Sequence, residues 1–361
     1  MRVVVVTDRH PGIRSSAAGA AIGRAWAERG AQVAVVPIGQ AGAGLGEALA
    51  DLWGADEDLV QVADRAVTIA RGEGESGIRL CVSLHAPLEA SPPPHWHGSS
   101  SVVGQALAAA LADLDDDQPL TSIVLEVAEP TWQDGGLGML RHLGLVTGFE
   151  AGGLAGQTLD LDPVRGRLRG ADLVLAIPAD ELTIPLVGLR GITSRAAHAH
   201  GHTDPATMLR LDQDLVDLAA AAGAGDLAQA PGSGAVGGVG WAVLALGGRV
   251  VSGPGLCREL SGLDRTAAHA DLVVTGGDRL DFGSMGGDVL TEVREVAEQV
   301  LRPLVVIAGQ NFISSRELRS IGVEAAYPVH AHGAAADATQ PAVSEDDLLV
   351  LARRVAASWS W

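Results

Sequence analysis

The sequence predicts two α/β domains with mainly parallel sheets, one domain inserted in the other. Three observations carry that expectation. The chain has 361 residues, more than one hydrophobic core usually holds, so two domains are the natural division. A β-α rhythm opens the chain and returns near its end. Between these stretches the texture changes to a hairpin followed by a second α/β region. Residues 1–65 and 250–361 are accordingly assigned to one discontinuous domain and residues 66–249 to the inserted one.

Val3 to Val6 is a continuous apolar run suited to a buried strand. A loop from Thr7 to Ser15, an Ala-rich helix to about Arg29 and a strand Gln32 to Pro37 complete a β-α-β unit. Near the far end come strand Asp271 to Thr275, helix Gly287 to Leu301, strand Leu304 to Ala308, helix Ser314 to Ile321 and strand Val323 to Tyr327. Such alternation implies parallel strands covered by helices. In the middle, Ala66 to Arg71 and Ile78 to His85 flank a Gly-Glu-Gly-Glu-Ser-Gly turn, the pattern of a hairpin. Helix Ser101 to Leu114, strand Ser122 to Val127, helix Gly138 to Leu143, strand Asp172 to Ile177 and helix Pro205 to Ala222 follow. Ala224 to Gly234 reads as a loop. Gly234 to Gly248 reads as a buried helix, shorter than the roughly 18 to 20 apolar residues of a membrane span.

Composition narrows the function classes. A formal net charge of −19 repels phosphodiester backbones, and no run of arginine offsets it, so nucleic acid is excluded as the expected partner. Cys81 and Cys257 fit neither a metal-binding spacing nor a disulfide framework, and the start lacks the apolar length of a secretion signal. A cytoplasmic location is the expectation, with no membrane partner. All 25 basic residues of the Lys+Arg count are arginine, so no lysine is present to hold a phosphate as a flexible point charge.

Four loops carry candidate chemistry. Pro231 to Gly240, with Gly237 and Gly238, places glycines at a helix start, where free N–H groups favour an anion; glycines also permit close packing, and both readings stand. Gly276-Gly277-Asp278-Arg279-Leu280-Asp281-Phe282-Gly283-Ser284 follows an apolar strand, at the sheet edge where open α/β folds bind ligands. There Arg279 is suited to grip a phosphate or carboxylate. Asp278 and Asp281 are suited to hold magnesium or accept a hydroxyl proton, unless the loop is an internally paired Arg-Asp turn. Asp134-Gly135-Gly136 opens the helix after Ser122 to Val127, so Asp134 is either an N-cap or a ligand-facing carboxylate. Asp8 stands at the analogous position in the first β-α turn with Arg9, His10 and Arg14 beside it, a further anion-binding candidate. His95, His97, His198, His200 and His202 are read as solvated loop histidines and not as a zinc site; no resident metal site is assigned.

In order along the chain, the Asp134-Gly135-Gly136 turn, Pro185-Leu186-Val187-Gly188-Leu189-Arg190-Gly191, the Pro231 to Gly240 loop and Ala270 to Asp281 resemble the class I glycerate kinases over nearly the whole length. The resemblance implies a Rossmann- or flavodoxin-like three-layer α/β domain with a second α/β domain inserted, and a ligand cleft between them. It also implies transfer of a phosphoryl group from ATP, with Mg2+, to glycerate or another small hydroxy acid. Asp134, Arg279 and Asp281 would then be catalytic. Asp8, Arg9, Arg14, Gly135, Gly136, Arg190, Gly237, Gly238, Gly276, Asp278 and Ser284 would bind nucleotide or acid.

The departures concentrate where that family carries charge. Its first-loop lysine position holds Pro11, two carboxylates after the second strand give way to Gln40 and Ala43, and Gly-Gly-Ser becomes Ala128-Glu129-Pro130. Asp-Val-Asp-Asn becomes roughly Glu181-Leu182-Thr183-Ile184, and an Arg-Gly-Lys lysine becomes Asp288. Phosphoryl transfer depends on positioning and on positive charge near the transferring group. Two readings follow: a weak kinase, or a catalytically silent homologue that binds a ligand or regulates a partner.

Overall fold

Val3, Val4, Val5 and Val6 are at most 2% exposed, as a strand paired on both edges and covered on both faces requires. They form β1 (Arg2–Thr7) in a computed structural model that describes residues 1–88, 98–115, 118–148, 153–200, 204–281, 287–330 and 342–360, with backbone alone for residues 199–200. The chain divides into two units, Met1–Leu52 with Gly253–Trp361, and Trp53–Ser252.

In the first unit the chain runs β1, α1 (Ser15–Ala27), β2 (Gln32–Val35) and α2 (Leu45–Trp53) before leaving for the second unit. The second unit runs β3 (Asp56–Val62), β4 (Arg65–Gly74), β5 (Gly77–Pro87), α3 (Ser101–Ala112), β6 (Leu120–Val127), α4 (Leu137–His142), α5 (Asp162–Arg167), β7 (Asp172–Ile177), α6 (Ile192–His200), α7 (Pro205–Ala221), α8 (Val239–Ala245) and β8 (Arg249–Ser252). The chain then completes the first unit with α9 (Gly253–Ser261), α10 (Leu263–Ala268), β9 (Leu272–Leu280), α11 (Gly287–Gln299), β10 (Leu304–Asn311), α12 (Ser315–Ser320), β11 (Ala325–Pro328) and α13 (Glu345–Ser358).

The first sheet has the order β11-β10-β9-β1-β2, with every pairing parallel. The first and last β-α stretches thus share one sheet, as the returning rhythm predicts. Val3 and Val5 of β1, Ile22 and Trp26 of α1, Val305 and Ile307 of β10 and Leu348 and Ala352 of α13 make one core. The Trp26 indole N–H donates to the Trp359 carbonyl at 3.3 Å, tying α1 to the C-terminal end.

The second sheet, β3-β4-β5-β6-β7-β8, is antiparallel from β3 to β5 and parallel from β5 to β8. Leu80, Val82, Ile123, Leu125 and Leu175 meet Val103 and Leu107 of α3 in its core. The predicted hairpin is β4 and β5. Its unpredicted partner β3 pairs with β4 from Asp56 to Val62, so this strand lies in the second unit and the division falls at 52/53, not at 65/66. A further correction concerns Gly276 to Leu280, read as loop. These residues continue β9, paired with β10 as far as Leu280 opposite Asn311. Gly276 makes that possible, since a Cβ there would collide with the Ile307 carbonyl oxygen. Among the described residues no helix is long and apolar enough to cross a membrane.

Candidate functional site

In a parallel sheet the loops that follow the strands gather at one edge. In the first unit that edge carries the β1–α1 turn, the β2–α2 loop and the ends of β9 and β10. The Asp8 N–H donates to the Gly276 carbonyl at 2.9 Å, which brings the first turn onto β9. The Asp8 carboxylate accepts from the Arg9 N–H at 2.8 Å and from Gln40 Nε2 at 2.6 Å. Burial raises its pKa above the usual carboxylate range, against the pull of Gln40 and Arg9. Gln40, at a position where the resembling family carries charge, is thus a partner that neutralises no charge.

The arginines at this edge are engaged. Arg9 reaches Glu47 of α2 at 3.7 Å, and Arg14 pairs with Asp51 at 3.2 Å. Arg279 Nε donates to Asp281 Oδ2 at 2.8 Å, and its guanidinium carbon lies 4.5 Å from the centre of the Phe312 ring. That is the internally paired Arg-Asp arrangement, with the cation stacked on an aromatic face. Asp278 is exposed, and Gly309 lets its backbone come close: a Cβ on Gly309 would lie 2.5 Å from the Asp278 carbonyl oxygen. His10 is 0% exposed, and neither ring nitrogen has a hydrogen-bond partner among the described residues. Burial lowers its pKa, opposed by Asp278. Ser284 lies outside the described residues.

In the second unit, Asp134 is the hub of a knot between two helix starts. Oδ2 accepts from the Ser100 N–H at 2.8 Å, the Ser100 hydroxyl at 3.0 Å and the Gly138 N–H at 3.0 Å; Oδ1 accepts from the Gly136 N–H at 3.0 Å. Ser100 Oγ in turn accepts from the Met139 N–H at 2.9 Å. Burial raises the Asp134 pKa while these four donors pull it down. Its geometry is that of a cap that fixes α3 against α4, the first of the two roles its position allows.

Gly135 and Gly136 take left-handed φ of +67° and +79°, and Gly237 and Gly238 take +62° and +93°. The two turns lie back to back: the Gly135 N–H donates to the Gly237 carbonyl at 3.1 Å, and a Cβ on Gly238 would lie 2.5 Å from the Gly135 Cα. These glycines serve close packing. Within this loop the Val236 N–H is taken by an internal carboxylate, since Glu181 accepts from it at 3.0 Å, and Val236 itself is held at φ +53°. Burial raises the Glu181 pKa, and Arg195 pulls it down.

The Pro185 to Gly191 segment packs onto the same loop. The Leu186 N–H donates to Ser233 Oγ at 2.8 Å, and the Gly234 N–H donates to the Ile184 carbonyl at 2.9 Å. Arg190 projects beyond it, exposed, with no ion pair among the described residues. His198 also corrects an expectation: it lies on α6 and not in a loop, where an i, i+2 spacing to residue 200 does not share a face. His95, His97 and His202, and the His200 side chain, lie outside what is described. Among the described residues no group of three His, Cys, Asp or Glu side chains converges as a metal cage.

Sequence reasoning missed Ser100 and Arg65. Arg65 is 1% exposed; Nη1 donates to the His85 carbonyl at 2.9 Å and the Ala128 carbonyl at 2.5 Å, and Nη2 donates to the Glu129 carbonyl at 2.6 Å. It lies 5.3 Å from the Trp132 ring centre and so fixes the segment leading to Asp134. Its partners are 20 to 64 residues away in sequence, beyond any local pattern.

The chain matches the model of the glycerate kinase family over residues 3–360. It is 31% identical to an uncharacterized protein of Mycobacterium bovis, over 99% of this chain and 91% of that one. It is 26% identical to a glycerate kinase of Halalkalibacterium halodurans, over 91% and 89% of the two chains. A solved chain from Salmonella typhimurium LT2 assigned as glycerate kinase 2 shares the fold, with TM-score 0.77 at 23% identity over 99% of this chain and 98% of that one.

Proposed function

Since the chain belongs to the glycerate kinase family, we propose that it is a slow ATP-dependent kinase of glycerate or a closely similar small hydroxy acid. One observation carries the reading. At the edge of the first sheet β1 and β9 gather Asp8, Asp278, Arg279 and Asp281, while each cation there is already paired with a carboxylate. Arg279 would meet donor or acceptor charge by exchanging Asp281 for a phosphate, a bidentate contact a guanidinium makes well. Asp281, released, would then be available to take a hydroxyl proton. Magnesium usually arrives with nucleotide phosphates and needs only one or two protein carboxylates. Exposed Asp278 fits that limited demand, and magnesium would supply charge neutralisation on the phosphates.

The same pairing argues for slow turnover. Charge that must first be freed from an ion pair stabilises a transition state less than charge preorganised for it. Turnover with ATP, magnesium and glycerate is expected at least about a hundredfold below that of a family member with lysine in these loops, two missing contacts at about 1.4 kcal/mol each. Arg279→Ala and Asp281→Asn should abolish what remains. Ordinary kinase turnover would overturn the slow reading. Turnover unchanged in both variants would overturn the assignment of these residues. Complete inactivity would favour the silent homologue, the reading for which the internal commitment of Asp134 and Glu181 speaks.

A further inference from the structure

Arg9, Arg14 and Arg279, at the edge of the first sheet, are each paired with a carboxylate, so their charge must be freed before it can act. A donor of another kind stands at the same edge. Asn311 ends β10 opposite Leu280 of β9, and it is the only asparagine of a chain that has no lysine, so it is no filler of surface loops. Its side-chain oxygen accepts from the Ile313 N–H at 2.9 Å. A backbone N–H can only donate, so the oxygen of the amide faces Ile313 and the NH2 faces away from it. That NH2 has no hydrogen-bond partner among the described residues. We propose that Asn311 is a catalytic residue whose side-chain NH2 donates to an oxygen of the phosphoryl group in transfer, an inference that rests on the kinase reading.

The surroundings of Asn311 suit that task. The bond to Ile313 closes a turn that fixes the amide plane, and a donor held in place before charge develops stabilises a transition state without reorganising. The strand beneath it is held as well. Beyond the last strand pairing the Phe312 N–H donates to the Leu280 carbonyl at 2.8 Å, and the Arg279 guanidinium stacks on the Phe312 ring. Alternation along β10 puts Gly309 and Asn311 on one face. A Cβ on Gly309 would lie 3.0 Å from Asp278 Oδ1, so the Asp278 carboxylate lies over that face too. Asp278 and Asn311 thus flank a stretch of β10 bare of side chain, with an acceptor on one side and a donor on the other. The amide is neutral, so Asp8, Asp278 and Asp281 cannot draw it into an ion pair as the nearby acids do the arginines.

Turnover of the full chain with ATP, magnesium and glycerate should fall about a hundredfold in Asn311→Ala, with KM for both substrates little changed. That split marks a contact made in the transition state alone. Asn311→Asp should fall at least as far, although its remaining oxygen still accepts from Ile313 and its thermal melt should match the parent's. Calorimetric titration supplies a readout apart from turnover. ADP, magnesium and aluminium fluoride with glycerate, a mimic of the transferring group, should bind the parent more tightly than ADP with magnesium does. Asn311→Ala should lose about a hundredfold of the mimic's affinity and none of ADP's. Parental turnover in Asn311→Ala, parental affinity of that variant for the mimic, or a loss that Asn311→Asp does not share would overturn the role of Asn311 and leave the kinase reading standing. A parent that neither turns over nor prefers the mimic to ADP would overturn both.

Discussion

At Asp134 the carboxylate faces three backbone N–H groups, which can only donate, and one serine hydroxyl already accepting from Met139. An amide in its place would turn an NH2 toward those donors, leaving buried groups unmatched at about 1–3 kcal/mol. Asp134→Asn should therefore destabilise the second unit by roughly that amount in denaturant unfolding, although the two side chains are nearly the same size. A variant as stable as the parent would show that the carboxylate is not what joins α3 to α4. The sequence marked Asp134 as a cap or a ligand-facing group; its capping partner Ser100 lies 34 residues earlier, and nothing local announces it. Arg65, Gln40 and Glu181 teach the same lesson, for each acts through a carbonyl, a carboxylate or an N–H far along the chain.

Elements were legible where apolar periodicity is strong. β1, α1, β7 and the β4–β5 hairpin fall close to where the pattern puts them, because their buried faces must be apolar whatever the tertiary context. β3, with sequence Asp-Glu-Asp-Leu-Val-Gln-Val and mostly exposed, carries no such signal; it is a strand because β4 offers it an edge. The end of β9 was hidden differently, since Gly276 and Gly277 look like a loop, and Gly276 instead lets β10 approach. Glycines in the second unit give a test of that close-approach argument. Gly237 and Gly247 both have positive φ, but a Cβ on Gly247 would meet nothing within 4 Å, whereas one on Gly237 would strike the Trp132 carbonyl. Gly247→Ala should cost about 1–2 kcal/mol from backbone strain alone. Gly237→Ala should cost about 1–3 kcal/mol more from overpacking. Equal losses in paired melts would mean that the loop moves freely away from Trp132.

Over the whole molecule, charge and burial set how stability follows pH. Burial raises the pKa of Asp8, Asp134 and Glu181 above their ordinary values of 3.8 and 4.5. Each folded site holds its proton more tightly than the unfolded chain does. Its contribution is therefore complete below those values and lost as pH rises through the folded pKa. His10 opposes them: its pKa is lowered from 6.5 by burial, so its contribution is present above that value and lost as pH falls through the folded one. Net charge takes the side of the three carboxyls, because a chain at −19 repels itself most when compact, and lowering the pH toward its pI of about 4.8 relieves this. The raised carboxyls and the net charge both favour the acid side of neutrality, and the His10 imidazole acts the other way. Scanning calorimetry at low ionic strength should give a higher Tm at about pH 6 than at about pH 8. Salt provides the independent check, since the screening length falls from about 30 Å at 0.01 M to about 8 Å at 0.15 M. Salt should raise the Tm at the higher pH more than at the lower, by about 2–4 °C for each kcal/mol of repulsion removed. A Tm that is higher at about pH 8, or that salt leaves unmoved there, would mean that neither the buried carboxyls nor the surplus of negative charge governs the fold.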